Sequence, residues 1–237
     1  MTKTTITVLS LATAALFGAS HSASAQTPAN FLNISVGAQP QQRTVDAAAT
    51  SVIYDEDAVF AATHEISNGP FFDFSFGHEV RPSFSVGAGL SFFTSKGNAS
   101  GTGSIPDPIF VGQPTEIPVS LDDLSHSEQF INLTLTYFKP LTDKFDVALS
   151  AGPSIVHASQ EFLSGQLSDD GNSITILPDD QGGWGFGLNI GGDVTYLVTP
   201  RYGVGVLLRY TYGKVGMDAA DLTVGGFQAG AGLRVRF

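Results

Sequence analysis

The chain has 237 residues, no cysteine, and a formal net charge of −11 from 11 Lys+Arg against 22 Asp+Glu. That balance argues against a nucleic-acid partner, and the lack of thiols excludes a disulfide scaffold, a thiol nucleophile and Cys-ligated zinc or iron–sulfur sites. Gly 27 and Phe 18 are high without a collagen-like or low-complexity period, which points to an all-β barrel.

Met1-Thr-Lys3 is a short basic region, Ile6 to Phe17 is mostly apolar, and Ala23-Ser24-Ala25 is a small-x-small cleavage site. Residues 1–25 therefore read as a secretory signal peptide and 26–237 as one mature domain. The apolar run is too short to span comfortably as a helix, and no later segment approaches the ~20 apolar residues a spanning helix needs. If the chain crosses a membrane, it does so with strands.

Eight segments alternate with the period of two that defines a strand. Phe31–Gln39 sets Leu32, Ile34 and Val36 against Asn33, Ser35 and Gly37. Phe71–Val80 sets Phe72, Phe74 and Phe76 against Asp73 and Ser75, and Ser83–Thr94 sets Phe84, Val86, Leu90 and Phe92 against Ser85, Gly87 and Ser91. Gln129–Phe138, Lys144–Ile155, Gly183–Leu197 and Tyr202–Tyr212 behave alike. The last, Gln228–Phe237, alternates Ala229, Ala231, Leu233, Val235 and Phe237 with Gly230, Gly232, Arg234 and Arg236. Short Pro-containing turns (Arg81-Pro82, Lys139–Asp143, Val198–Arg201) strictly alternate with longer connections that hold most of the acidic residues. The reading is an all-β, eight-stranded antiparallel up-and-down transmembrane β-barrel with aromatic girdles. Phe71, Phe92, Phe93, Phe130, Trp184, Tyr210 and Tyr212 lie at the loop end; Tyr137, Phe138, Phe145, Tyr196, Tyr202 and Phe237 lie at the turn end.

With the signal, the eight strands, the Gly-rich run Gly225–Gly232 and the final Arg-Val-Arg-Phe237, the chain resembles the small bacterial outer-membrane β-barrel proteins of the OmpA/OmpX, OmpW and opacity-protein type. The resemblance implies a Gram-negative outer-membrane location, periplasmic termini, extracellular long loops, and a monomer in contact with outer-membrane lipid and lipopolysaccharide. It also implies that Leu233, Val235 and Phe237 form a signal read by the outer-membrane assembly machinery. It implies no cofactor and says little about function, because such families share a scaffold and differ in their loops.

Inward ionisable residues are the first candidates for chemistry. Direction along each strand places Glu79, Asp146, Asp193, Arg234 and Arg236 toward the periplasmic half, and Asp73 and Arg209 toward the loop end. Together they form either a static plug that neutralises buried charge, with inward glycines making room for the arginines, or a gated small pore or proton relay. His126-Ser127-Glu128 holds a base, a hydroxyl and a carboxylate, but neighbours in an extended chain point to opposite sides, so contiguity does not make a triad. His157 with the loop acid pairs Asp122-Asp123, Asp169-Asp170 and Asp179-Asp180 has no better claim than solvated charge. Asp55-Glu56-Asp57 offers hard oxygen ligands without EF-hand spacing, so no metal site is assigned. The expected role is a non-enzymatic structural, envelope-integrity or surface-interaction barrel acting through its acidic loops; the alternative is a small channel or a carrier of a hydrophobic compound. The apolar residues Val52, Ile53, Tyr54, Val59, Phe60, Ala61 and Ala62 between Arg43 and Glu65 either extend strands above the membrane or fold inward as a lid.

Overall fold

The computed structural model describes residues 30–40, 42–168 and 173–237. The expectation of a signal peptide over residues 1–25 and the pair Asp169-Asp170 lie outside them. The described strands are β1 (Asn30–Gln39), β2 (Arg43–Ile53), β3 (Glu56–Ile66), β4 (Gly69–Arg81), β5 (Phe84–Ile105), β6 (Thr115–Pro140), β7 (Phe145–Leu167), β8 (Ile174–Leu197), β9 (Tyr202–Gly216) and β10 (Asp221–Arg236). Eight of them close an antiparallel ring in the order β1-β4-β5-β6-β7-β8-β9-β10, sealed where β10 pairs back onto β1 from Phe31↔Arg236 to Ala38↔Ala229. Asn30 and Phe237 exchange two backbone hydrogen bonds of 3.0 Å at this seam. Closure satisfies every edge, the condition for a sheet to sit in hydrocarbon.

The alternation resolves into faces as the sequence predicts. Ile34, Val36, Phe72, Phe76, Val86, Leu90, Ile131, Leu133, Leu135, Leu188, Ile190, Val206 and Leu208 are exposed on the outside, while Ser35, Asp73, Ser91, Asn132, Ser154, Asn189 and Arg209 are buried within. The aromatic girdles are thinner than expected. Phe92, Trp184, Tyr210 and Tyr212 point outward at the loop end, but Phe71, Phe93 and Phe130 are buried in the lumen, and Phe138 turns in to meet Phe31 at 5.1 Å. Those four residues sit one step out of phase with the lipid-facing set, so alternation sends them inside.

Two inward glycines lie directly against these rings. A Cβ at Gly77 would lie 2.2 Å from the Phe31 ring, and one at Gly37 would lie 2.5 Å from Phe71. Room for lumen aromatics, more than room for arginines, is what these two glycines provide.

Four connections expected to be loops are largely strand. β5 runs to Ile105 and β6 starts at Thr115; β7 and β8 likewise extend to Leu167 and from Ile174. The segment after β1 forms the hairpin β2–β3, and β3 pairs with β5 from Val59↔Ser104 to His64↔Ala99, just above the point where the β4–β5 pairing ends at Phe71↔Phe93. β2 lies against β7 and the β9–β10 turn: Ser51 Oγ is 3.3 Å from Ser164 Oγ, and the Ala48 amide donates to the Ala219 carbonyl at 3.3 Å. Between hairpin and extension lies an apolar core of Ile53, Ala58, Phe60, Ala62, Ala99, Ile105, Val119, Leu124 and Leu163. A second cluster fills the lumen mouth below it, with Ile66, Phe130, Val156, Val215, Leu222 and Val224. The hairpin thus does both things the sequence allowed, lengthening the wall and covering the opening.

Candidate functional site

The lumen contains three tiers of charge. In the middle tier Asp73 of β4 pairs with Arg209 of β9, the second contact of the fork being Nη2 to Oδ1 at 3.3 Å. Arg209 also donates to Ser91 Oγ at 2.9 Å, and Ser91 donates to Asp73 at 2.6 Å. The relay continues: Asn132 donates to Ser91 at 3.0 Å, Ser154 donates to Asn132 Oδ1 at 2.7 Å, and Asn189 donates to Ser154 at 2.9 Å. Every donor in the sequence Asn189, Ser154, Asn132, Ser91 points toward Asp73. A buried carboxylate is tolerable only when its charge is met this way. The belt draws side chains from β4, β5, β6, β7, β8 and β9, all on inward positions of the alternation.

In the lower tier Arg234 pairs with Asp193 at 2.6 Å and donates through Nε to Asn33 Oδ1 at 2.8 Å. Its guanidinium lies 5.4 Å from the Phe31 ring centre and 5.2 Å from that of Phe138, a stacked arrangement suited to the flat delocalised cation. Arg236 pairs with Asp146 nearer the turn end. Glu79 faces the same end of the lumen and interacts with Arg236 electrostatically, without an ion-pair contact. Between the middle and lower tiers is a cavity of ≈ 50 Å³ lined by Ser75, Thr134, Thr136, Ser150 and Thr195 among others. Phe31, Phe76 and Leu207 share its wall with these hydroxyls, and it has room for a few water molecules.

The upper tier contains a residue that the sequence alone places in a connection. Arg43, at the start of β2, reaches down to Glu128 of β6 and donates to the carbonyls of Thr223 at 3.0 Å and Gly225 at 2.8 Å. Glu128 is fully buried and also accepts from the Gly225 amide at 2.9 Å. Gly225 has φ +92° and Gly226 φ +148°, a backbone form that turns this amide and carbonyl toward the pair. His126 lies 2.9 Å from Glu128 Oε1 through Nε2 and 2.8 Å from Gln160 Oε1 through Nδ1. Contiguity argues against the triplet as a unit, but His126 and Glu128 are two apart and share the inward face. Ser127, between them, belongs to the outer face. Arg43 carried no local signal, since its partner lies 85 positions away.

The other expected residues fall apart in space. Leu233 and Phe237 are exposed on the outer wall, with the Phe237 ring 6.4 Å from Phe76, and Val235 is half-buried beside them. His157 packs its ring 4.8 Å from Trp184. Asp180 accepts from Ser159 at 2.5 Å, Asp179 from Gln181 at 2.9 Å, and Lys96 pairs with Asp123 at 3.4 Å. Among the described residues no three His, Asp or Glu side chains converge in metal-binding geometry.

No protein-family model matches the chain, and no curated protein matches it in sequence. Several solved structures are similar in fold. Neisserial surface protein A shares 18% identity over 88% of this chain and 97% of its own, with a TM-score of 0.47. The outer membrane protein OprG from Pseudomonas aeruginosa shares 12% identity over 89% and 97%, with a TM-score of 0.48. The outer membrane protease OmpT from Escherichia coli shares 13% over 89% and 98%, also at 0.48. The chain's own geometry defines its class: a closed, even-numbered antiparallel ring with an apolar outside and a polar inside has the architecture of an integral outer-membrane β-barrel.

Proposed function

We propose that this protein is a non-conducting, non-enzymatic outer-membrane barrel that serves as a rigid envelope scaffold and presents a capped, acidic surface outside the cell. The observation that carries the reading is the occluded bore: three tiers of paired charge, the rings of Phe31, Phe71 and Phe93, and the hairpin β2–β3 stacked over the mouth. A pore needs a continuous wet path, and a carrier of a hydrophobic compound needs an empty apolar chamber. Here the apolar volume of the upper lumen is filled by the chain's own Ile66, Phe130, Val156 and Leu222. The His126–Glu128 pair is buried beneath the hairpin with its polar atoms engaged, which speaks against use as an acid–base device. The turn end carries Arg81, Lys139, Lys144 and Arg201, and the opposite end carries the acids; this supports periplasmic turns and extracellular extensions.

Planar bilayers test the proposal. Purified protein should give no steady current, and Asp73→Ala should open sporadic conductance by freeing Arg209. Steady wild-type currents whose selectivity changes with Arg234→Glu would overturn it in favour of a pore.

A further inference from the structure

The β5–β6 hairpin ends in Pro106-Asp-Pro-Ile-Phe-Val-Gly-Gln-Pro114, and its tip contradicts everything beneath it. From Thr94 to Thr102 the outer face of β5 is polar throughout: Thr94, Lys96, Asn98, Ser100 and Thr102. At the tip, Ile109, Phe110 and Val111 are 78%, 59% and 83% exposed. Three consecutive large apolar side chains in water cost solubility and contribute nothing to the core, so they call for a partner.

The tip is also pre-formed. Asp107 Oδ1 accepts from the amides of Ile109 at 2.8 Å and Phe110 at 3.0 Å, and the Gln113 amide donates to the Phe110 carbonyl at 3.2 Å. The Gly112 amide, at φ +74°, donates to Glu56 Oε2 at 3.1 Å, tying the tip to the β2–β3 turn. That turn, Tyr54-Asp55 with φ of 53° and 64°, presents Asp55 and Asp57 to solvent beside the apolar knuckle. Order in place before binding lowers the entropy an encounter must overcome.

Position and charge select the occupant. Ile105 lies thirteen residues past Phe92, so at ~3.3 Å per residue and a ~40° tilt the tip stands roughly 30 Å clear of the outer girdle. The protein's own membrane is out of reach, and an anionic lipid surface or a second acidic copy is repelled. We infer that Ile109, Phe110 and Val111, flanked by Asp55, Glu56 and Asp57, form a docking surface for a basic protein segment that carries apolar side chains. The inference rests on the reading of the barrel as a surface-presenting scaffold and names the chemistry of its partner.

Full-length protein in phosphatidylcholine nanodiscs, titrated with three synthetic twelve-residue peptides, provides the test: Leu/Lys alternating, Leu/Glu alternating and Ser/Lys alternating. The Leu/Lys peptide should bind at least tenfold more tightly than either other peptide and than empty nanodiscs. Ile109→Ser/Phe110→Ser/Val111→Ser should remove that preference, and Asp55→Asn/Glu56→Gln/Asp57→Asn should weaken it tenfold and abolish its salt dependence. Unchanged heat-modifiable migration of both variants keeps misfolding out of the result. Equal binding of wild type and the apolar triple variant, equal binding of the Ser/Lys peptide, or self-association that the triple variant abolishes would each overturn the inference. Failure here with a silent planar bilayer leaves the scaffold reading standing, whereas a steady ion current removes the reading beneath it.

Discussion

The two halves of β5 use one strand for opposite purposes. From Phe84 to Phe92 the outward residues are Phe, Val, Ala, Leu and Phe, and the inward ones are Ser85, Gly87, Gly89 and Ser91. From Thr94 onward the outward residues are polar, while Phe93, Gly97, Ala99 and Ile105 are buried. Backbone and pairing continue unbroken to β6 apart from one bulge between Gly97 and Ala99. The solvent outside the strand is what changes. In hydrocarbon the apolar face must look out and the interior is held by paired charge; in water the apolar face looks in and burial supplies the stabilisation.

If that contrast is right, substitutions of the same kind should behave differently above and below Phe92. The largest effect is expected in the barrel interior. Asp73→Ala strands Arg209 without its partner and should cost about 3–5 kcal/mol in reversible urea unfolding from lipid. Above the membrane Phe60→Ala should cost a similar ~3–5 kcal/mol by opening a cavity in the hairpin core. That loss should be local: protease cleavage within residues 43–66 with the ring still resistant to detergent. A Cβ at Gly165 would lie 2.2 Å from the same Phe60 ring, so Gly165→Ala should release the hairpin as well.

Charging the outer wall sharpens the comparison further. Leu133→Arg or Val206→Arg, both lipid-facing, should cost roughly 2–4 kcal/mol near the midplane, whereas Thr102→Arg on the outer face of the extension should stay within ~0.5 kcal/mol. Gly205→Ala on the inward face should also destabilise, because its Cβ would meet the Val194 carbonyl at 2.8 Å.

The smallest effect concerns pH. His64 in the hairpin is buried, and its Nε2 accepts from the Leu163 amide at 2.9 Å, so it must be neutral there. Burial pushes its pKa below the ordinary value, opposed in part by the nearby backbone of Ala62 and Val45. An opened hairpin takes up the proton first. The junction is therefore at full stability above about pH 6.5 and loses stability as pH falls toward the lowered folded value. The protection factor of the Leu163 amide against hydrogen exchange should fall as pH drops from 7.5 to 5, and His64→Gln should remove the fall.

These contrasts also explain what the sequence disclosed. In the membrane the outward residues are large and the inward ones small or polar, so alternation has high amplitude and the eight ring segments stand out. Above Thr94, β5 alternates Thr, Lys, Asn and Ser with Ser95, Gly97, Ala99 and Gly101; neither face is strongly apolar, and the strand reads as loop. The β2–β3 turn hides for a different reason: its two positive φ angles fall on Tyr54 and Asp55, where a Gly or Asn would have marked it. Of the lumen charges, alternation and strand direction identify which residues face inward, whereas the Asn132–Ser154–Asn189 relay and the reach of Arg43 depend on register between distant strands. No one-strand pattern contains that register.

The reversal at Phe92 is open to one direct measurement. The chain has no cysteine, so single Cys substitutions at 86, 88, 90, 92, 94, 96, 98, 100 and 102 can each be spin-labelled in lipid bilayers and probed with oxygen and a water-soluble nickel chelate. The account predicts oxygen-dominated relaxation through 92 and chelate-dominated relaxation from 94 onward. Uniform chelate access along all nine positions would contradict it and place the whole strand in water.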